Sequence, residues 1–212
     1  MRGLVVNNLY TSRDNIKLSL IIALLLAFVP LFVKETSIIS IVIAMQTFVL
    51  VSNMSVSLKM DEASKWNKFE ITLPVARNTL ISAKYISFIL LILIGVAASL
   101  VTAAFQAMRG KIDFNTLILG YNFGLQLSLS TVAIVYPLIL KLGAEKSDTL
   151  LFTAIGLSVG LRFLVWYLLY LSDETITFRT SPVVGNISLA ISLALFILSY
   201  FISAAIHRHK EF

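Results

Sequence analysis

The chain has 212 residues, of which 58% are hydrophobic and only 13% are charged, and its formal net charge at pH 7 is +6. Soluble domains carry roughly 25% charged residues, so this chain has too little polar surface to cover itself in water. It has no cysteine, which excludes disulfides, thiolate metal sites and thiol chemistry. We therefore expect an all-α integral membrane protein in which residues 1–212 form a single transmembrane domain.

Six stretches of the sequence are long and apolar enough, or nearly so, to cross a bilayer, which takes about 20 residues. The first stretch is short, but it can extend back past Lys17, whose aliphatic stem can snorkel to the interface. Basic residues precede it and no small-residue cleavage site follows, so we expect an uncleaved anchor rather than a signal peptide. The predicted spans are Leu18–Val33, Ile38–Leu58, Tyr85–Met108, Thr116–Leu140, Thr149–Leu171 and Gly185–Ile206.

The distribution of basic residues predicts the orientation of these spans. If the amino end is cytoplasmic, twelve Lys and Arg residues lie on the cytoplasmic side and four on the other side. Cytoplasmic loops of membrane proteins carry an excess of Lys and Arg. Both termini are therefore expected in the cytoplasm, with the chain in the cytoplasmic membrane of a bacterium. The positive net charge is explained without a nucleic-acid partner.

The longest predicted loop, at residues 59–84, carries a short amphipathic helical pattern. Asp61 is a suitable N-cap and begins an acidic first turn. Trp66 and Phe69 follow at helical spacing, and Pro74 ends the pattern. The residues alone leave two interpretations open: the helix lies in the lipid headgroups with its aromatic rings dipping inward, or it docks into a groove on a cytoplasmic partner.

This loop resembles the ABC-2 type permease family, and more narrowly the small six-span permeases of phenol-soluble-modulin exporters. The resemblance lies in an acidic pair, a Lys-Trp pair, an aromatic residue, a Leu-Pro-x-x-Arg motif and a Lys-Tyr pair that enters the third span. In this chain the corresponding residues are Asp61-Glu62, Lys65-Trp66, Phe69, Thr72-Leu73-Pro74 with Arg77, and Lys84-Tyr85.

The resemblance implies a permease subunit that dimerises, with itself or with a related permease, and pairs with a separate ABC ATPase to export a substrate such as an amphipathic peptide. It implies that the loop forms a coupling helix in a cleft of the ATPase and that Met1–Ile16 forms an interfacial helix. Trp66 and Phe69 would be the buried anchors. The rest of the implied ATPase-coupling set comprises the charged residues Asp61, Glu62, Lys65 and Arg77, together with Thr72, Leu73 and Pro74.

The chain itself lacks the sequence of an ATP site. Residues 143–147 are faintly similar to a phosphate-binding loop, but Glu145 replaces the glycine that should precede the lysine. We therefore expect a non-catalytic subunit with no cofactor and no metal of its own, and we expect ATP and magnesium in the partner ATPase. His207 and His209 are predicted to lie in a solvated tail.

Two other classes of membrane protein are alternatives to a permease: an ion-coupled carrier and a non-transporting scaffold. The predicted spans contain no Asp, Glu or His, which disfavours an ion-coupled carrier. The second rival is a non-transporting scaffold or immunity protein that uses the same loop only to bind a cytoplasmic partner, and the sequence leaves it open.

Arg162 is the only Lys or Arg within a predicted span. A charge within the bilayer is costly and usually faces protein or water. Two alternatives follow. Arg162 lines the translocation path, or it is a structural residue bonded to backbone carbonyls and to Gln or Asn of neighbouring spans.

Small and polar residues within the spans predict close helix packing. The small residues serve contacts either within one chain or between two, and they are Gly95, Ser99, Ala103 and Ala107 in the third span, Gly120 and Gly124 in the fourth, and Gly156 and Gly160 in the fifth. The polar residues are predicted to form hydrogen bonds between helices, and they are Gln46, Asn53, Gln106, Asn122 and Gln126.

Overall fold

The computed structural model describes residues 1–33, 35–66, 69, 76–108, 114–178 and 181–209, apart from the side chains at positions 77 and 209. These residues are almost entirely helical, and none of them lies in a β-strand, as the composition predicts. The helices are α1 (Arg2–Thr11), α2 (Arg13–Leu26), α3 (Val29–Phe32), α4 (Thr36–Val51), α5 (Asn53–Ala63), α6 (Arg77–Met108), α7 (Phe114–Leu142), α8 (Ser147–Tyr170) and α9 (Pro182–His209), with a 3-10 helix at Ala144–Lys146.

Six helical stretches are long and apolar enough to cross a membrane, which confirms the six predicted spans. The first begins at Arg13, so it extends back past Lys17 as expected. The second joins α4 and α5 through Ser52 and continues five residues beyond its predicted end at Leu58. The observed spans are Arg13–Phe32, Thr36–Ala63, Asn78–Met108, Phe114–Leu142, Ala144–Tyr170 and Pro182–Arg208.

The fourth span, α7, lies at the centre of the bundle. It is 67% buried over its most apolar window, against 22% for the first, fifth and sixth spans. It packs against α4, α8 and α9. On one side, Tyr85 of α6 stacks edge-on against Tyr136 of α7 and Phe196 of α9 at ring-centroid distances of 5.3 and 5.2 Å. The peripheral spans therefore present most of their apolar surface outward, as lipid-facing helices do.

The glycines of the third and fourth spans lie against α4 of the same chain. A Cβ atom added at Gly95 of α6 would lie 2.5 Å from the backbone oxygen of Thr47, and one added at Gly124 of α7 would lie 2.9 Å from the Cα of Ala44. Only glycine lets these two helices approach α4 so closely. At Gly156 and Gly160 of the fifth span, an added Cβ would meet no atom within 4 Å.

Four of the five predicted polar residues form hydrogen bonds between helices. Gln46 donates to the backbone oxygen of Ala23 in the first span (2.7 Å) and accepts a hydrogen bond from Thr102 in the third (2.8 Å). These bonds satisfy polar groups that have no access to water. The other three bonds run from Asn53 to Ser19 (2.9 Å), from Asn122 to Asn186 (2.7 Å) and from Gln126 to the backbone oxygen of Ser158 (2.9 Å). Gln106 is buried.

The prediction that His207 is solvated is wrong. Helix α9 continues to His209, and His207 is only 6% exposed. The residue lies on the same buried face as Ser199 and Ser203, because the packing surface of α9 extends one turn beyond the apolar stretch. The side chain of His209 lies outside the described residues.

Candidate functional site at the end of the second span

Asp61 lies inside the fold rather than at the start of a separate helix. It occupies the last turn of α5, so the prediction that it caps a new helix is wrong. Its side chain is 2% exposed and forms an ion pair with Lys84 of α6, whose side chain is 6% exposed. Because this partner neutralises the carboxylate, α5 can continue past Leu58 into a region where the sequence turns polar.

The Asp61–Lys84 pair belongs to a buried network that connects three helices. The ammonium group of Lys84 also donates to the side-chain oxygen of Asn8 in α1 (2.7 Å). The amide nitrogen of Asn8 donates to the hydroxyl of Ser87 in α6 (3.2 Å), and the hydroxyl of Ser57 in α5 donates to the backbone oxygen of Asn8 (3.2 Å). The first helix, the second span and the third span are therefore joined at one point.

Two further contacts connect the same end of α5 to the turn between the fourth and fifth spans. The carboxylate of Glu62 accepts a hydrogen bond from the backbone N–H of Ala144, at the start of the 3-10 helix. Lys59 forms an ion pair with Asp148 in the first turn of α8. A carboxylate at the start of a helix accepts a hydrogen bond from a free N–H group. Its negative charge also interacts favourably with the positive end of the helix dipole. We call Lys59, Asp61 and Glu62 the α5 hub.

The aromatic pair of the predicted docking surface begins directly after the hub. Lys65 has a positive φ of 55°, which an L-residue rarely adopts, and the chain turns there. The rings of Trp66 and Phe69 then lie 5.2 Å apart, and Phe69 is 54% exposed. The indole N–H of Trp66 has no hydrogen-bond partner in the described part of the chain. Phe69 is therefore exposed, whereas Trp66 is half-buried and its indole nitrogen is buried.

The structure describes the side chains of five of the nine predicted coupling residues. Thr72, Leu73 and Pro74 lie outside the described residues, as does the side chain of Arg77. The coupling helix therefore stays a prediction. Lys59, Asn8 and Asp148 could not be predicted, because their partners are between 49 and 89 positions away along the chain.

Arg162 lies at the opposite end of the bundle from the hub. Its side chain is buried, with 4% exposed, and its guanidinium carbon lies 4.9 Å from the ring centroid of Phe123 and 5.9 Å from that of Phe178. Its Nη1 atom has no hydrogen-bond partner among the described residues. A purely structural role predicts hydrogen bonds from Arg162 to backbone carbonyls and to Gln or Asn side chains. Among the described residues, Arg162 makes no such bond.

The guanidinium lines a cavity of about 200 Å³. This cavity lies where α4 and α7 begin and where the chain returns after α8. Its lining combines hydroxyl groups with apolar side chains: Thr36, Ser37, Ser40, Ile41, Thr116, Leu119, Phe123, Arg162 and Phe178.

Phe178 is held over the cavity because the segment after α8 folds back on that helix. The indole N–H of Trp166 donates to the backbone oxygen of Ile176 (3.0 Å), and the Trp166 ring stacks edge-on against Phe178 at 5.8 Å. Asp173 stabilises the turn by accepting hydrogen bonds from the hydroxyl (2.7 Å) and the backbone N–H (2.9 Å) of Thr175, which hold the pKa of its carboxyl below the usual value.

The fold and its contacts define a multi-pass helical membrane protein. A family model described as "ABC-2 family transporter protein" matches residues 3–208, and the chain belongs to this family. This confirms the predicted family over nearly the whole chain, whereas the narrower likeness to phenol-soluble-modulin exporters stays a prediction. No curated protein and no solved structure matches the chain significantly.

Proposed function

We propose that this chain is the permease subunit of an ATP-driven exporter. Two copies form the transmembrane body, and two separate ABC ATPase subunits dock on residues 59–84. ATP and magnesium belong to those partners. The family supports this proposal, because ABC-2 permeases are generally non-catalytic transmembrane subunits. The excess of basic residues supports a cytoplasmic position for both termini and for the docking segment, in a bacterial cytoplasmic membrane.

The observation that carries this proposal is the convergence of contacts on the α5 hub. Lys59, Asp61 and Glu62 contact three separate parts of the chain: the turn before α8, the start of α6 and, through Lys84, α1. A partner that moves the segment just beyond Ala63 acts on all of them together. Coupling between distant sites requires such a physically connected set of contacts.

The Trp66–Phe69 surface supports docking at this segment rather than elsewhere. Large aromatic residues dominate the binding energy of many interfaces, and in this pair Phe69 is exposed while Trp66 is half-buried. In the alternative, the same two rings insert into the lipid headgroup layer. The two are distinguished by whether the rings are needed for ATPase binding.

We expect Trp66→Ala combined with Phe69→Ala to abolish ATPase association while the protein still inserts into the membrane. Removing two anchor rings costs roughly 2 kcal/mol or more each at an interface hot spot, which together weakens binding by about a thousandfold. The measurement is co-purification, followed by a binding titration, with an ABC ATPase subunit from the same organism.

The matched control is Phe152→Ala combined with Phe201→Ala. Both residues are exposed aromatics, 72% and 62% exposed, but they lie on the outer faces of the fifth and sixth spans. This variant should bind the ATPase as the unmodified protein does. If the Trp66 and Phe69 variant also binds with unchanged affinity, the docking assignment is wrong.

The exported substrate that the resemblance suggests is an amphipathic peptide. Reconstituted permease and ATPase should then hydrolyse ATP faster when such a peptide is added. A scaffold or immunity protein would bind the ATPase without any candidate cargo changing ATP turnover. This experiment therefore separates transport from partner binding alone.

Dimerisation is expected at the fifth span, where Gly156 and Gly160 lie on the outer surface with open space around them. Small residues four apart allow two membrane helices to approach closely. Changing both to leucine should abolish the dimer without unfolding the bundle, since nothing in the described part of the chain contacts these positions. Crosslinking or single-molecule photobleaching in vesicles measures the dimer, and an unchanged dimer fraction would place the interface elsewhere.

A further inference from the structure

We propose that the Arg162 cavity binds the phosphate of a phospholipid headgroup, in the leaflet at the end of the bundle away from the hub. The inference goes beyond the proposed transport function and does not depend on it. It rests on the charge of the cavity, on its depth in the bundle and on its size.

The charge of the cavity favours an anion. Arg162 is 96% buried and forms none of the three ion pairs found among the described residues. A buried cation is retained only when a partner compensates its lost hydration. The faces of Phe123 and Phe178 provide part of that compensation through cation–π contacts. They leave Nη1 without a hydrogen-bond acceptor.

Two helix N-termini reinforce the positive potential. α4 begins at Thr36 and α7 at Phe114, and residues of the first turn of each helix line the cavity. The preceding residue, Glu35, makes no side-chain capping bond to α4. First-turn N–H groups and the helix dipole favour an anion at this position. The hydroxyl groups of Thr36 and Ser37 add further donors for anionic oxygens.

The depth of the cavity matches the headgroup layer. Thr36 and Ser37 are the first residues of the second span, so the cavity lies at the end of the apolar stretch. Arg162 is eight residues before the end of α8, about 12 Å along the helix axis, and its long stem can carry the charge toward the interface. Each headgroup layer is roughly 5–8 Å thick outside a hydrocarbon core of about 30 Å.

The size of the cavity excludes a helical peptide as its occupant. A volume of about 200 Å³ equals that of roughly six water molecules, which suits a phosphodiester with its glycerol linkage. An α-helix with side chains is about 10–12 Å across, so a helical peptide cannot enter. Ile41 and Leu119 on the wall contact the first carbons of the acyl chains. The ligand is therefore a lipid phosphate rather than a helical cargo.

The test is lipid binding to the purified, delipidated protein, measured by native mass spectrometry and by a phosphorus assay. The unmodified protein should retain one phosphatidylglycerol per chain, and Arg162→Gln should bind it roughly tenfold more weakly or worse, because a charge-assisted hydrogen bond is lost. Arg162→Lys should recover part of the affinity. Diacylglycerol with the same acyl chains should not compete, because it lacks the phosphate.

A matched control and a cavity-filling variant complete the test. Arg13→Gln makes the same chemical change at an exposed arginine of the first span, at the other end of the bundle, and should bind like the unmodified protein. Ser40→Leu fills the cavity and leaves Arg162 in place, so it should also expel the lipid even if Arg162→Gln does not fold. Displacement by millimolar sodium phosphate would assign the site to free phosphate. If the Arg162→Gln and Ser40→Leu variants both retain as much lipid as the unmodified protein, or if a peptide carboxylate competes and phosphate does not, the proposal is wrong.

Discussion

Asp61→Asn is expected to lower the free energy of unfolding by about 3–5 kcal/mol, because it leaves a buried ammonium group without its counter-ion. Lys84 then has only neutral amide oxygens as acceptors, that of the new side chain and that of Asn8, 2.7 Å away. A neutral amide cannot compensate the charge as a carboxylate does. The measurement is reversible unfolding of the purified protein in detergent micelles, followed by circular dichroism.

Asp148→Asn provides the matched control for this prediction. It makes the same change in the other Lys–Asp pair of the hub, where the Lys59 and Asp148 side chains are 36% and 63% exposed. Exposed ion pairs contribute roughly 0–1 kcal/mol, so this variant should be nearly as stable as the unmodified protein. The double variant Asp61→Asn with Lys84→Gln should recover most of the loss, because no buried charge remains. Equal stability of Asp61→Asn and Asp148→Asn would contradict the buried network.

Gly95→Ala is expected to be the most damaging single methyl addition among the glycines of the described spans. The new Cβ would lie 2.5 Å from the backbone oxygen of Thr47, and a backbone atom cannot rotate away as a side chain can. Relief requires α6 to move away from α4. Overpacking of this kind costs about 1–3 kcal/mol and sometimes more, again measured by unfolding in micelles.

Gly156→Ala is the control for this substitution, because the same methyl group enters open space on the outer face of α8. It should leave the unfolding free energy of the monomer unchanged. Gly124→Ala should resemble Gly95→Ala in direction, since its Cβ would lie 2.9 Å from the Cα of Ala44. If all three variants are equally stable, α4 is not packed against α6 and α7 as described.

The six spans could be predicted because each depends on a local property, the length of an apolar stretch. Their ends could not. The second span continues past Leu58 because Asp61 is neutralised by Lys84, and local capping preferences do not reveal a partner 23 positions away. The same limit applies to the glycines: spacing predicted close-packed faces, but only the assembled bundle distinguishes Gly95, against α4, from Gly156, facing outward.

The candidate site was predictable in part for the same reason. Trp66 and Phe69 stand out as large aromatics in a polar loop, and their rings do lie together, with Phe69 exposed. Asp61, which the sequence places beside them as an interface charge, is directed into the bundle instead. For Arg162, the sequence revealed an unusual charge within a span. It did not reveal Phe123 and Phe178, which come from another helix and from the segment after α8.

The buried Asp61–Lys84 ion pair joins the two ends of the segment that is proposed to dock. Residues 64–76 can be exchanged for those of another family member while Asp61, Lys84 and the buried start of α6 stay, so the bundle should tolerate the graft. Under the proposed function, we expect the chimaera to bind the donor's ATPase. Partner choice and bundle stability should thus be separable in this chain. The Asp61–Lys84 contact lies between the exchanged segment and the rest of the bundle.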